Sequence, residues 1–218
     1  NSHMATTKLC LIRHGETTWN TERRLQGHTD IPLNANGALQ ARQMAQALKD
    51  IKLTFDVLYT SDLKRAADTA NAVVELFGVH AQVDSALRER HFGALQGLSI
   101  SEAPIQQADI WQAHIARDLE HELAGGESIQ QFALRVQNAL DRIQVRHAGK
   151  TIVIVSHGGT LDMMYRIASR QALSAERVAS VPNASLNWIT HSAVDGWAVE
   201  QWADTRHLQG SILENVDL

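Results

Sequence analysis

Four short stretches of this chain carry residue types able to handle an anion. Arg13 and His14 follow the apolar run Leu9 to Ile12 and precede Gly15. Arg65 lies within "SDLKRAADTA", and His157 follows "TIVIVS" and precedes Gly158 and Gly159. The fourth stretch, Arg88-Glu89-Arg90-His91, adds a carboxyl group. Guanidinium groups bind phosphate bidentately, glycine lets backbone N–H groups approach an anion closely, and a neutral imidazole is a nucleophile near neutral pH. Cations beside an imidazole disfavour its protonated form, so Arg13 would keep more of His14 nucleophilic. Arg65 gives a separate clue. A cation in the first turn of a helix opposes the helix dipole by about 0.3–1 kcal/mol, a cost that an intervening anion reverses.

These residues need a scaffold that brings them together. Short strand-like runs alternate with amphipathic stretches, the pattern of an α/β domain with a mostly parallel sheet. After "PLNANG", Ala41, Met44, Ala45 and Leu48 fall on one helical face, with Asn34 or Asn36 as cap. "FDVLYTS" reads as a strand, and Leu63, Ala66, Ala67, Ala70 and Val73 line a helix that Gly78 closes. A third extended piece is expected from Val83 to Leu87, then a polar helical segment over 99–122 that could cap the site. "AGGES" starts a helix carried by Ile129, Phe132, Ala133, Val136, Leu140 and Ile143. "TIVIVS" is the best buried strand; a helix after Gly159 and the strands "SLNWITHS" and "WAVEQWA" complete the fold. In open α/β sheets ligands bind outside the carboxyl ends of the strands. Arg13-His14, "TSDLKR", Arg88 to His91 and His157 all follow extended segments, so they should collect on one rim.

Composition restricts the partners. With 218 residues and 44% hydrophobic content, one domain over residues 5–218 is expected. Residues 1–4, "NSHM", read as the remnant of a cleaved tag plus a start Met. The net charge of −4 argues against a nucleic-acid binder. The lone Cys10 forms no intrachain disulfide and reads as core. No apolar run reaches the roughly 18–20 residues of a membrane helix, so a soluble cytoplasmic protein with no membrane partner is expected. Pairing of an edge strand with a second copy is one route to a homodimer.

The motifs resemble the histidine phosphatase superfamily, which includes the phosphoglycerate mutases and many small phosphatases. "RHGETTWN" at 13–20, "LQGHTDIPLNANG" at 25–37, "SDLKRAADTA" at 61–70, "LRERHFG" at 87–93, "GGES" at 125–128 and "SHGG" at 156–159 occur in that family's order. The resemblance implies a three-layer α/β/α sandwich with a mostly parallel central sheet. It implies His14 as the phosphoryl-accepting nucleophile, Glu89 as proton donor, and Arg13, Arg65 and His157 as phosphate ligands. Asn20, Gln26, Gly27, Arg90 and Gly158 are the further substrate contacts it suggests. Such chemistry needs positive charge around the phosphoryl oxygens, which the two arginines, and His157 if protonated, supply with no metal or other cofactor. A bound phosphate should raise the pKa of Glu89, letting it donate to the leaving group.

A mutase returns the phosphoryl group to a bound product, whereas a phosphatase passes it to water. "ERHFG" is similar to the mutases' Glu-Arg-His-Tyr-Gly. Where mutases continue with a substrate-binding lysine, this chain has Ile100, and in place of an adjacent arginine pair it has Arg117 among Asp118, Glu120 and Glu122. The favoured reading is a phosphomonoesterase acting on a small phosphorylated metabolite. A 2,3-bisphosphoglycerate-dependent phosphoglycerate mutase is the alternative, and a noncatalytic phosphate-binding protein is a third reading, disfavoured because both His14 and Glu89 are present.

The remaining candidates are weaker. "GGESIQ" lacks the second glycine of a serine-hydrolase elbow. His28 and Asp30 form an H-x-D pair without other ligand spacing, so no metal site is expected. His80, His114, His121, His147, His191 and His207 read as surface or packing residues. Trp188, Trp197 and Trp202 read as core or interface, and Trp19 and Trp111 could border the pocket.

Overall fold

The computed structural model describes residues 5–208. The tag reading of residues 1–4 and the end of the expected domain, 209–218, lie outside the described residues. A six-stranded sheet runs in the order β3-β2-β4-β1-β5-β6. Its strands are β1 (Thr7–Arg13), β2 (Val57–Thr60), β3 (Ala81–Val83), β4 (Thr151–Ser156), β5 (Leu186–Ser192) and β6 (Gly196–Asp204). The pairs β1/β4, β2/β4 and β2/β3 are parallel; β1/β5 and β5/β6 are antiparallel.

Successive strand residues point to opposite faces, and both faces are apolar here. Cys10, Ile12, Leu58, Val153 and Val155 meet α2 (Ala35–Asp50) and α3 (Lys64–Phe77). Leu9, Leu11, Tyr59, Ile152 and Ile154 meet α6 (Ile129–Arg146) and α7 (Gly158–Ser169) on the other side. The result is the three-layer α/β/α arrangement. Asn34 supplies the cap of α2, accepting from Gly37 N at 2.8 Å. Ser128 caps α6 in a reciprocal box with Gln131, and Gly78 ends α3 in the left-handed region at φ 66°.

Three local expectations change. The third extended piece is the strand Ala81–Val83, and Ser85–Leu87 is instead a 3₁₀ turn, because the Asp84 carboxylate accepts from Ala86 N at 2.9 Å and bends the chain. Segment 99–122 holds two short helices, α4 (Ala103–Gln106) and α5 (Ala108–Ile115), after the one-turn α1 (Thr18–Thr21) near the start of the chain. Ile100, Ile110 and Trp111 from this segment pack on a third apolar cluster of Leu25, Phe92, Leu95, Ala103 and Leu123. Helix α7 starts at Gly158, with His157 at its cap position.

Candidate active site

The chain leaving β1 goes on to α2 on one face, and the chain leaving β4 enters α7 on the other. Adjacent strands whose exits diverge leave a crevice at their carboxyl ends. His14 and His157 are the first residues beyond those two strands. Arg13 pairs with Ser156, and His14 N donates to Ser156 O at 3.0 Å. On the far side of β4, Ser61 N donates to Val155 O at 3.0 Å, so the loop from Ser61 into α3, whose first turn carries Arg65, adjoins His157.

Arg13, His14, Arg65, Glu89 and His157 all have no solvent exposure. The His14 and His157 ring centroids are 5.3 Å apart. His14 Nδ1 lies 2.6 Å from Gly15 O. A carbonyl only accepts, so Nδ1 carries the proton and the neutral ring keeps its lone pair on Nε2. That Nε2 is buried with no hydrogen-bond partner among the described residues. Burial, then the charges of Arg13 and Arg65, hold the His14 pKa well below the ordinary 6.5.

His157 is held down in the same way, by burial first and then by Arg65, His14 and Arg13. It therefore offers the site a neutral ring, whereas the sequence reading allowed a protonated one as a source of charge. Its Nε2 is 2.8 Å from Ser61 Oγ, and its Nδ1 is buried without a partner among the described residues.

The guanidinium groups are fixed by backbone carbonyls. Arg13 Nη1 donates to Val181 O; Arg65 Nη1 and Nη2 donate to Thr29 O and Gly27 O, each at 2.7 Å. Gly27 thus orients Arg65 through its carbonyl. Glu89 sits at the start of α7, where Gly159 N donates to its Oε2 at 2.7 Å and Arg90 N to its Oε1 at 2.9 Å. A carboxylate at a helix N-terminus is electrostatically favoured, and Gly158 lies between that contact and His157.

Asn20 is tied to Thr17 in a capping box and accepts at Oδ1 from Asn183 Nδ2 at 3.3 Å; the same Asn183 nitrogen donates to His14 O at 3.0 Å. Asn20 Nδ2 is buried and has no partner among the described residues. Gln26 is fully buried and accepts at Oε1 from Thr17 Oγ1 at 2.8 Å. The Arg90 guanidinium donates from Nε to Glu127 O at 2.9 Å and lies over the Phe92 ring. Burial, then repulsion from Arg117, lowers the Arg90 pKa to about 10. Arg117 is likewise lowered to about 10, by burial and then Arg166. It is therefore within electrostatic reach of other arginines and not among acidic side chains alone. Asp162, 2% exposed, balances this group through Arg166 Nε at 2.8 Å and Arg177 Nε at 3.5 Å.

Several residues of the site were not singled out in the sequence. Thr69, one turn beyond Arg65 on the same helix, accepts from Gly15 N at 3.0 Å. Ser61 orients His157, and its position before a helix was the available signal. The H-x-D pair divides its work: His28 Nε2 reaches Glu89 O at 2.8 Å, while Asp30 accepts from Lys64 N at 2.7 Å at the start of α3. His114 is a packing residue, buried between the Phe92 and Trp111 rings. Trp188 is core, and Trp197 and Trp202 are partly buried against the sheet. A separate cavity of about 740 Å³ is lined by Lys8, Thr151, Trp188, Asp204 and the last residues of α2, and none of the site residues borders it.

The model of the histidine phosphatase superfamily, branch 1, matches residues 9–205. The chain belongs to this superfamily. Among histidine phosphatase relatives, it is 37% identical over 205 residues to phosphoglycerate mutase-like protein 4 of Arabidopsis thaliana, covering 93% of this chain and 87% of that one. It is also 37% identical over 204 residues to a metal-independent phosphoserine phosphatase of the same plant, covering 93% and 83%. Its fold matches the solved structure of YhfR from Bacillus stearothermophilus with a TM-score of 0.81 at 29% identity, covering 93% of this chain and all of that one. No helix of the described residues is long and apolar enough to cross a membrane.

Proposed function

We propose that this histidine phosphatase superfamily member hydrolyses small phosphorylated metabolites through a phosphohistidine on His14, with Glu89 as proton donor. The observation that carries the reading is the state of His14: a buried neutral ring, with Nδ1 tied to Gly15 O and the Nε2 lone pair unengaged, beside two buried guanidinium groups. Nε2 attacks phosphorus as the bond to the leaving oxygen breaks, and Glu89 passes its proton to that oxygen. The like charge of the bound phosphate favours the protonated carboxyl before this step. Water then attacks the phosphohistidine, giving its proton to the Glu89 carboxylate as the N–P bond breaks, which restores the neutral imidazole.

Arg13 and Arg65 meet the charge on the phosphoryl oxygens, where preorganised donors are most effective. Ser61 Oγ accepts from Leu63 N at 3.3 Å, leaving its own proton for His157 Nε2. His157 then carries its hydrogen on Nδ1, ready for a phosphoryl oxygen. This requires no metal. Among the described residues, no three His, Cys, Asp or Glu side chains are grouped to hold one.

Hydrolysis is favoured over phosphoryl return to product because Ile100 packs on an apolar cluster and offers no group to a second substrate acid. The test is a panel of phosphoglycerates, bisphosphoglycerate, and sugar and amino-acid phosphates, assayed with EDTA and with His14→Ala as control. Release of inorganic phosphate faster than any isomer interconversion supports the proposal. Faster interconversion of 3- and 2-phosphoglycerate would establish a mutase, and no turnover with retained phosphate binding would establish a binding protein.

A further inference from the structure

The "GGES" motif lies outside the phosphate ligands, yet its surroundings converge on the loop that carries Glu89. Four consecutive carbonyls of this loop are each held by a side chain. Arg135 Nη1 donates to Ala86 O and Arg88 O, both at 2.9 Å, and its Nη2 donates to Glu89 O at 3.1 Å. Ser156 Oγ donates to Leu87 O at 2.7 Å; Thr160 Oγ1 adds a second bond to Arg88 O, and His28 Nε2 a second to Glu89 O.

Arg135 spends its remaining donors on Glu127, from Nε to Oε2 at 2.9 Å and from Nη2 to Oε1 at 2.8 Å. All five N–H groups of the guanidinium are therefore engaged. Glu127 Oε1 also accepts from His91 N at 2.8 Å, Glu127 N donates to His91 O at 2.9 Å, and Glu127 O accepts from Arg90 Nε. Gly126 allows this approach, since a Cβ there would lie 2.4 Å from His91 O and 2.6 Å from Gly93 N.

We propose that Glu127 and Arg135 are a positioning unit for the Glu89 carboxyl, holding it where it delivers a proton to the leaving oxygen. The proposal rests on the phosphatase reading above. A fixed backbone at Glu89 matters because the carboxyl must reach two partners in turn, the leaving oxygen and then water, and proton transfer needs hydrogen-bond distance. Lysine at 135 keeps the charge but cannot form the forked contact with carboxylate and carbonyls together.

The test compares kcat/KM for phenyl phosphate, whose leaving group needs a proton, with 2,4-dinitrophenyl phosphate, whose leaving group does not. Arg135→Lys is expected to lower the phenyl value by about 10- to 100-fold and the dinitrophenyl value by less than about threefold. Affinity for inorganic phosphate, measured by calorimetry, should stay within about threefold, because no phosphate ligand is altered. Added to Glu89→Gln, Arg135→Lys should cost less than about twofold more, since the two act as one unit. Equal losses for both esters, or multiplied losses in the double variant, would overturn the proposal. If circular dichroism shows Arg135→Lys unfolded, Glu127→Gln is read by the same criteria. Wild-type protein inert towards both esters would instead sink the phosphatase reading, a result distinct from an altered leaving-group response.

Discussion

His14 and His157 are tied through opposite ring nitrogens: Nδ1 of the first meets Gly15 O, Nε2 of the second meets Ser61 Oγ, and the ring centroids are 5.3 Å apart. The untied nitrogens, His14 Nε2 and His157 Nδ1, are both buried. The pair therefore presents different chemistry from similar side chains, a lone pair from one ring and, with Ser61 donating, an N–H from the other.

From that division, His14→Ala should lower p-nitrophenyl phosphate turnover by about 10⁴-fold or more, the scale seen when a nucleophile is deleted. His157→Ala, which removes a proposed phosphate ligand and spares the proposed nucleophile, should cost less, about 10²–10³-fold, as for one oxyanion donor. Incubation with a labelled substrate and an alkaline quench should trap label on wild-type protein and on His157→Ala. Label on His14→Ala would place the covalent intermediate elsewhere.

The same buried rings make stability pH-dependent. An unfolded histidine binds a proton below about 6.5, whereas folded His14 and His157 stay neutral well below that value, and His28 and His114 are lowered to about 4 and about 3. Below pH 6.5 the unfolded chain thus holds more protons than the folded one, and stability falls with pH. Each fully buried ring contributes up to about 1.4 kcal/mol per pH unit below 6.5, until its folded pKa is reached. The urea midpoint should change little near pH 7.5 and fall increasingly as the pH drops through about 6.5 to 5. A flat profile would show that the rings protonate within the fold, contrary to a neutral nucleophile.

How far the sequence disclosed this site depends on distance along the chain. His14 and His157 were legible because each directly follows a buried strand, and parallel neighbours must end side by side. Arg65 was legible as a cation where a helix dipole disfavours one. Arg135 was not, since it lies within an amphipathic helix where an exposed arginine is ordinary, and its partners at 86–89 are more than forty residues away. The 99–122 segment was read as helical without ends because its two helices are short, and no side-chain cap bond marks either start. The strand expected to reach Leu87 failed at Asp84, whose carboxylate turns the backbone.

Asp162 gives a third expectation. Its carboxylate is buried, pairs with Arg166 at 2.8 Å and faces Arg177 at 3.5 Å. Replacement by asparagine keeps the shape but leaves the buried Arg166 charge uncompensated. Removing one partner of a buried pair costs about 3–5 kcal/mol, much more than a surface pair. Asp162→Asn should therefore lower the urea midpoint strongly, and a change under about 1 kcal/mol would show that water or backbone carbonyls solvate Arg166 well enough alone.

The last expectation sets two effects of known sign against each other at Gly37. Glycine inside a helix costs about 1 kcal/mol relative to alanine, so propensity alone predicts that Gly37→Ala stabilises α2. The structure opposes this: a Cβ at Gly37 would lie 2.0 Å from Glu16 O and 2.8 Å from Glu16 N. The obstacle is backbone, in the loop that follows His14, and no flexible side-chain end is available to yield. Gly15 faces the same approach, since its own Cβ would lie 2.4 Å from Gly37 O. Forcing atoms into such a contact costs about 1–3 kcal/mol or displaces the segment, which outweighs the propensity gain. Gly37→Ala should lower the urea midpoint, and because the displaced loop carries the Gly15 carbonyl that fixes the His14 ring, turnover should fall more than stability alone explains. A stabilised variant with full activity would show that α2 can move away from the loop, and that the close approach of Gly15 and Gly37 does not set the position of the His14 ring.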